Sequence, residues 1–201
     1  GIDIEDYGQD GVPGVAIGNF SDEPMSLYRW GKDGTFTPDA ARAGLAQPTY
    51  RPLAFGLDME DLDLDGRLDL MVVNGHIEPD VALMFPGQTH AQSAQLFRGL
   101  PGGTFEDVSL HAGPDFTLPR VGRGLALGDV DGDGDLDILI TVNGGSPVLL
   151  RNERLPASSN HFLRVRLHGK GKNTGAIGAT VRLTAGGMTQ TRLSRTGSSY
   201  L

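Results

Sequence analysis

The chain has 201 residues, 38% of them hydrophobic, with 30 glycines and 12 prolines, a density of chain breakers that long helices do not tolerate and that points to a β-rich fold. The absence of cysteine removes disulfides, thiol nucleophiles and thiolate metal sites, and no stretch approaches the roughly 18 consecutive apolar residues of a membrane span. The net charge of -8 hides a step: from Arg154 onward there are eight Lys or Arg and no Asp or Glu, so the preceding part stands at -16, a surface that repels nucleic acid.

In chain order, a weak unit opens the sequence, running from Gly1 through Asp6, Asp10 and Gly11 to Val15, Ile17 and Asn19. It recurs in full at residues 56–74 and again at residues 124–143, each copy an apolar strand, an acidic loop and a second apolar strand around Leu70 to Val73 or Ile138 to Val142. A second recurring unit, residues 26–36 and 95–105, is a strand, a Gly-rich turn and a strand restarting at Thr-Phe, which is hairpin chemistry; its start returns at residues 148–152. One repeat is therefore about four short strands. The acidic loops lie 55 and 68 positions apart, a period that predicts an all-β, partial β-propeller of about three blades over residues 1–153. The longer interval holds an insertion at residues 76–94, expected as an excursion on one face.

Past a candidate linker at Pro156 to Ser159, alternating segments at residues 161–167, 179–184 and 189–193 predict three strands with Arg on the solvent face. Residues 154–201 are expected to be the opening of a second, small β domain, truncated at Leu201. No charged and apolar leader follows Gly1, so any signal peptide is expected to have been removed or to lie outside this chain.

The loops carry the chemistry. In residues 61–69, Asp61, Asp63, Asp65 and Asp69 place carboxylates at loop positions 1, 3, 5 and 9, with the Arg67 carbonyl at position 7 and Gly66 permitting the turn that aims them inward. Asp129, Asp131, Asp133 and Asp137, with the Asp135 carbonyl and Gly134, repeat the set. Such a shell suits Ca2+, a hard cation taking six to eight oxygens, and four carboxylates without a cation repel one another. An EF-hand would need Glu at position 12, where Val72 and Ile140 stand, so that motif is excluded. In the opening unit Gly8 and Gly14 occupy positions 3 and 9, leaving only Asp6 and Asp10 as a degenerate third site.

The Asp, Asp, Asp, Gly and Asp pattern followed by a Leu-Val strand resembles the FG-GAP or VCBS repeat of integrin α-subunit propellers. Asn74-Gly75-His76, residues 103–108 and residues 121–124 are similar to the cartilage acidic protein and UnbV group. Asn160-His161-Phe162-Leu163, residues 175–179 and residues 197–200 resemble the start of its ASPIC/UnbV domain. The resemblance implies a secreted, extracellular or periplasmic, calcium-binding scaffold for adhesion or for a protein or glycan ligand. It also implies about seven blades, so three alone are expected to leave faces open and to self-associate.

Enzyme signatures are missing. His76 with Glu78 and Asp80 offers at most a general base on the insertion, and an enzyme or carbohydrate-binding protein using residues 76–94 is the rival reading, with Phe85 the one aromatic there for a sugar. The other histidines lack zinc spacing, residues 169–175 are a basic turn rather than a phosphate loop, and no Gly-x-Ser-x-Gly elbow occurs.

Overall fold

The computed structural model of the chain describes residues 1–153 and 160–197. Four antiparallel sheets account for nearly all its regular structure, and none closes into a barrel. The first sheet holds β1 (Ile2–Glu5), β2 (Gly14–Ile17), β3 (Ser26–Trp30) and β4 (Phe36–Pro38) in sequence order. The second repeats that meander with β5 (Ala54–Glu60), β6 (Asp69–Asn74), β7 (Gln95–Leu100) and β8 (Thr104–Asp107). The third has three strands, β9 (Gly122–Gly128), β10 (Asp137–Val142) and β11 (Val148–Leu150). A separate hairpin pairs β12 (Thr180–Ala185) with β13 (Met188–Leu193) through Gly186 and Gly187, both at positive φ as a tight two-residue turn requires.

The first three sheets stack face to face, and the sequence of β6 shows why. Leu70 and Val72 point into one buried cluster with Ala16 and Leu27 of the first sheet, while Met71 and Val73 point into another with Leu125, Ile138 and Ile140 of the third. A strand covered on both faces needs a continuous apolar run, and each of these side chains contributes about 1.5–3 kcal/mol on burial. β10 has nearly the same run but one covered face, so Ile138 and Ile140 are buried and Leu139 is exposed. The first strands of the sheets also come close to one another. At Gly56 a Cβ would stand 2.8 Å from the Cβ of Leu125 on β9, which accounts for glycine at the head of the repeat.

Loop position 2 reports the same stacking. Tyr7 (5% exposed) packs against Phe105 of the second sheet and donates its hydroxyl to Asp39 at 2.6 Å, and Leu62 (6%) is buried against the third sheet, whereas Val130 (60%) meets no further sheet among the described residues.

Three expectations are modified. Residues 161–167 form no strand: their apolar side chains alternate, but no neighbouring edge pairs with them, and Phe162, Leu163 and Val165 are exposed. Gly169 N–H closes a turn on Thr174 O at 2.9 Å, but it leads from unpaired chain and does not join two strands. The insertion at residues 76–94 contains a one-turn helix, α1 (Val81–Met84). The candidate linker at Pro156 to Ser159, the boundary at Arg154 and the motif at Ser198 to Tyr200 lie outside the described residues. Among the described residues no helix is long and apolar enough to cross a membrane.

Candidate metal centre

Each acidic loop joins the first two strands of a sheet: residues 6–14 between β1 and β2, 61–69 between β5 and β6, 129–137 between β9 and β10. All three adopt one turn. Positions 4 and 6 are left-handed in every copy, at Gln9 (φ 53°) and Gly11 (81°), Leu64 (56°) and Gly66 (91°), and Gly132 (83°) and Gly134 (98°). Glycine meets that demand at no steric cost, while Gln9 and Leu64 adopt it against their preference.

Side chains then bond the backbone inside the turn. The carboxylate at position 1 accepts from a glycine N–H: Asp6 from Gly11 at 2.9 Å, Asp61 from Gly66 at 2.9 Å, Asp129 from Gly132 at 2.7 Å. In the two full loops the position 3 carboxylate accepts from the position 5 N–H, at Asp63 (3.1 Å) and Asp131 (3.3 Å). Position 5 accepts from position 7, with Arg67 N–H to Asp65 at 2.9 Å and Asp135 N–H to Asp133 at 3.3 Å. Position 9 ties the loop to its sheet. Asp69 accepts from Leu62 N–H at 2.9 Å and Gly99 N–H at 2.8 Å, and Asp137 accepts from Val130 N–H and Asn152 N–H, both at 2.9 Å.

These bonds gather the carboxylates. Oxygens of Asp61, Asp63 and Asp65 lie within 4.8 Å of one another, as do those of Asp129, Asp131 and Asp137. Asp69 stands outside the first group and Asp133 outside the second. The Arg67 side chain pairs with Asp65 and donates to Gly99 O at 3.1 Å, and Asp135 is buried. Asp61 Oδ1 is buried with no hydrogen-bond partner, a cost of about 1–3 kcal/mol or more for an ionised group, and a cation among the three carboxylates removes it. Oxygen-only donors of this kind fit a hard divalent cation.

The electrostatics agree. Burial, reinforced by the charges of Asp65 and Asp63, pushes Asp61 up to about 6. Burial likewise pushes Asp69 up to about 7 against its two N–H bonds, and Asp63 is raised, first by burial and then by Asp65. Asp133 is lowered, chiefly by the Asp135 N–H.

The degenerate loop is filled differently. A side chain at Gly14 would collide with the Tyr7 ring, and the Arg29 guanidinium pairs with Asp10 next to Gly8. Burial raises Asp6, while at Asp10 it is outweighed by the bonds from Arg29 and Val12 N–H, which hold that carboxyl low. An arginine thus sits beside the glycine at position 3, and a tyrosine ring fills the space beside the glycine at position 9.

Sequence reasoning overlooked a second acidic site. Asp3 and Glu5 on β1 are buried, and Arg195 from beyond β13 reaches them at 2.6 and 3.0 Å and donates to Ile4 O at 2.6 Å. Burial pushes Glu5 up to about 7 despite Arg195, and it raises Glu60, with Arg192 opposing. The signal was present in the repeat: Asp-x-Glu precedes the first Asp of the loops 6–14 and 61–69, as Asp3-Ile4-Glu5 and Asp58-Met59-Glu60. His76 is buried edge-on to Phe20, and its Nδ1 accepts from Glu78 N–H at 3.0 Å, which staples the start of the insertion.

Residues 73–140 match the model of an FG-GAP-like repeat. The match runs from β6 through α1, β7 and β8 to β10, takes in the whole loop 129–137, and covers about a third of the chain. A comparison with curated proteins gives no match. An FG-GAP repeat in a mostly β chain suggests an integrin-like β-propeller scaffold.

Proposed function

We propose that this chain is a calcium-stabilised segment of an extracellular β-propeller, its first three sheets acting as FG-GAP blades that form a scaffold for adhesion or for a protein or glycan ligand. The observation that carries the reading is the partnerless, buried Asp61 Oδ1 among Asp63 and Asp65, in a turn that the chain builds three times. Asp61, Asp63, Asp65 and Asp69, with the Arg67 carbonyl, would hold one Ca2+, and Asp129, Asp131, Asp133 and Asp137, with the Asp135 carbonyl, a second. The ion's contribution is charge neutralisation and a bond between the first two strands of a sheet, with no chemical step.

The finer kinship, to the cartilage acidic protein and UnbV group with an ASPIC/UnbV domain opening after residue 153, is supported by the motifs at residues 74–76, 103–108, 160–163 and 175–179. Millimolar extracellular calcium suits modules whose dissociation constants lie at about 10⁻⁴–10⁻³ M. Calorimetric titration of the metal-depleted chain tests the reading. Two equivalents are expected, one lost in Asp63→Ala and the other in Asp131→Ala. Absence of binding heat, or three equal sites including residues 6–14, would overturn it.

A further inference from the structure

The two full loops share a sequence pattern but differ at the carboxylate that opens them. Asp61 has one oxygen on Gly66 N–H and the other buried without a partner. Asp129 has neither oxygen open: Oδ1 accepts from Gly132 N–H at 2.7 Å, and Oδ2 is paired with the Arg164 guanidinium. Arg164 belongs to no part of the loop. It lies 35 positions along the chain, in the segment after residue 160 that the alternation of apolar residues marks as a strand and that the fold leaves outside any sheet.

That segment crosses the loops. Asn160 Nδ2 reaches Asp63 O of the loop 61–69 at 3.4 Å, and the Phe162 ring lies so close to Gly134 that a Cβ there would collide with it. Arg164 then closes on Asp129, its own side chain 68% exposed and that of Asp129 only 8%. Residues 160–164 form a strap across the loop face, held at its far end by one ion pair to a carboxylate that a cation at the loop 129–137 would require. Among the described residues, two other arginines pair with carboxylates of the two full loops. Arg67 is itself part of the loop 61–69, and Arg151, 3.3 Å from Asp131, follows β11 of the same sheet, so neither ties the loops to a distant segment.

We infer that Arg164 sets the calcium affinity of the loop 129–137, by competing with the ion for Asp129 Oδ2, and that ion entry releases the strap. The inference rests on the calcium reading given above. A guanidinium and a divalent cation cannot share one carboxylate oxygen at contact distance without repelling each other, so filling the loop displaces Arg164. By linkage, the strap weakens the ion at that loop by the factor that the ion weakens the strap, and the loop 61–69, whose Asp61 is ion-paired with no arginine among the described residues, is untouched. The pair is solvent-exposed on the arginine side, which limits the factor to about two- to five-fold.

The test uses the full chain depleted of metal. In an Asp63→Asn background, which disables the loop 61–69, adding Arg164→Gln should lower the calcium dissociation constant of the remaining site about two- to five-fold. In an Asp131→Asn background the same substitution should change nothing. Calcium should also speed trypsin cleavage after Arg164 or Arg166 of the unmodified chain, as the strap loosens. A dissociation constant unmoved by Arg164→Gln in the first background, or cleavage unchanged or slowed by calcium, overturns the inference while leaving the calcium reading in place. Asp63→Asn protein that binds no calcium while Asp131→Asn protein binds one equivalent overturns it too. If neither background binds calcium, the calcium reading fails and this inference falls with it.

Discussion

Metal-free protein should lose stability as the pH rises toward 8, and the increment that calcium adds should grow over the same range. Burial raises Asp69 from its ordinary 3.8 to about 7 and Asp61 to about 6. A carboxyl whose pKa is raised by folding binds its proton more tightly in the native state. Its stabilising contribution is therefore complete below pH 3.8 and is lost as the pH climbs through about 7. For Asp69 alone, the interval from pH 5 to pH 8 removes roughly 3 kcal/mol, and in a chain of this size each 1 kcal/mol moves the melting temperature by about 2–4 °C. A fall of about 6–12 °C is expected. Glu5, also at about 7, contributes with the same sign but lies outside the proposed ion shell, so the diagnostic quantity is the gap between melting curves with and without calcium. The share of that gap due to the loop 61–69 should be small at pH 5, where protons hold Asp61 and Asp69, and should reach about 3 kcal/mol at pH 8 if free calcium is about 100 times its dissociation constant. Calorimetric melts at pH 5, 6, 7 and 8, on protein stripped over a chelating resin, measure both curves, and Asp69→Asn should flatten the metal-free one. A gap that stays constant or narrows with rising pH would refute the reasoning.

Loop position 2 offers a matched pair of substitutions. Leu62→Ala should cost about 2–5 kcal/mol in denaturant unfolding, because Leu62 is buried between the second and third sheets, whereas Val130→Ala should stay within about 0.5 kcal/mol; equal losses would contradict the stacking. The uncovered faces, with Val130, Leu139 and Leu149 on one side and Ile2 and Ile4 on the other, should make the isolated chain self-associate in light scattering, reduced by Val130→Lys. A monodisperse monomer at high concentration would count against open faces.

Much of the fold was legible because it rests on local chemistry repeated along the chain. The loop register, the strands on either side of it and the Gly-rich turns before Phe36 and Phe105 all follow from residue spacing, and the strands fall where the spacing puts them. What depends on neighbours was not legible. Residues 70–73 and 138–141 read alike, yet Met71 is buried and Leu139 exposed, since among the described residues only the second sheet lies between two others. Residues 161–167 have the alternation of a strand, but alternation specifies which side chains share a face and not whether an edge is available. The arginines at positions 29, 164 and 195 were invisible as ion-pair partners, because nothing in a sequence ties Arg195 to Asp3 across the whole length of the chain.

The three turns separate shape from charge. Residues 6–14 have lost the carboxylates at positions 3 and 9, yet they keep the left-handed residues at positions 4 and 6 and the bond from Asp6 to Gly11 N–H, and they fold into the same turn as the complete loops. The turn is therefore specified by backbone demands and by the position 1 aspartate, which acts as an internal cap on the glycine amide. In both full loops the carboxylates at positions 1 and 3 converge because that turn aims them together, and convergence is unfavourable unless positive charge arrives. In the opening loop it arrives from Arg29, covalently part of the same sheet, so the loop is neutralised by the chain itself. In the loop 129–137 it arrives from Arg164 and Arg151, which hold single oxygens from outside. In the loop 61–69 Arg67 reaches Asp65 and leaves Asp61 Oδ1 buried and unanswered. One backbone thus carries three electrostatic solutions, and the place where the chain supplies least positive charge for the carboxylates gathered there is where a cation from solution has most to offer.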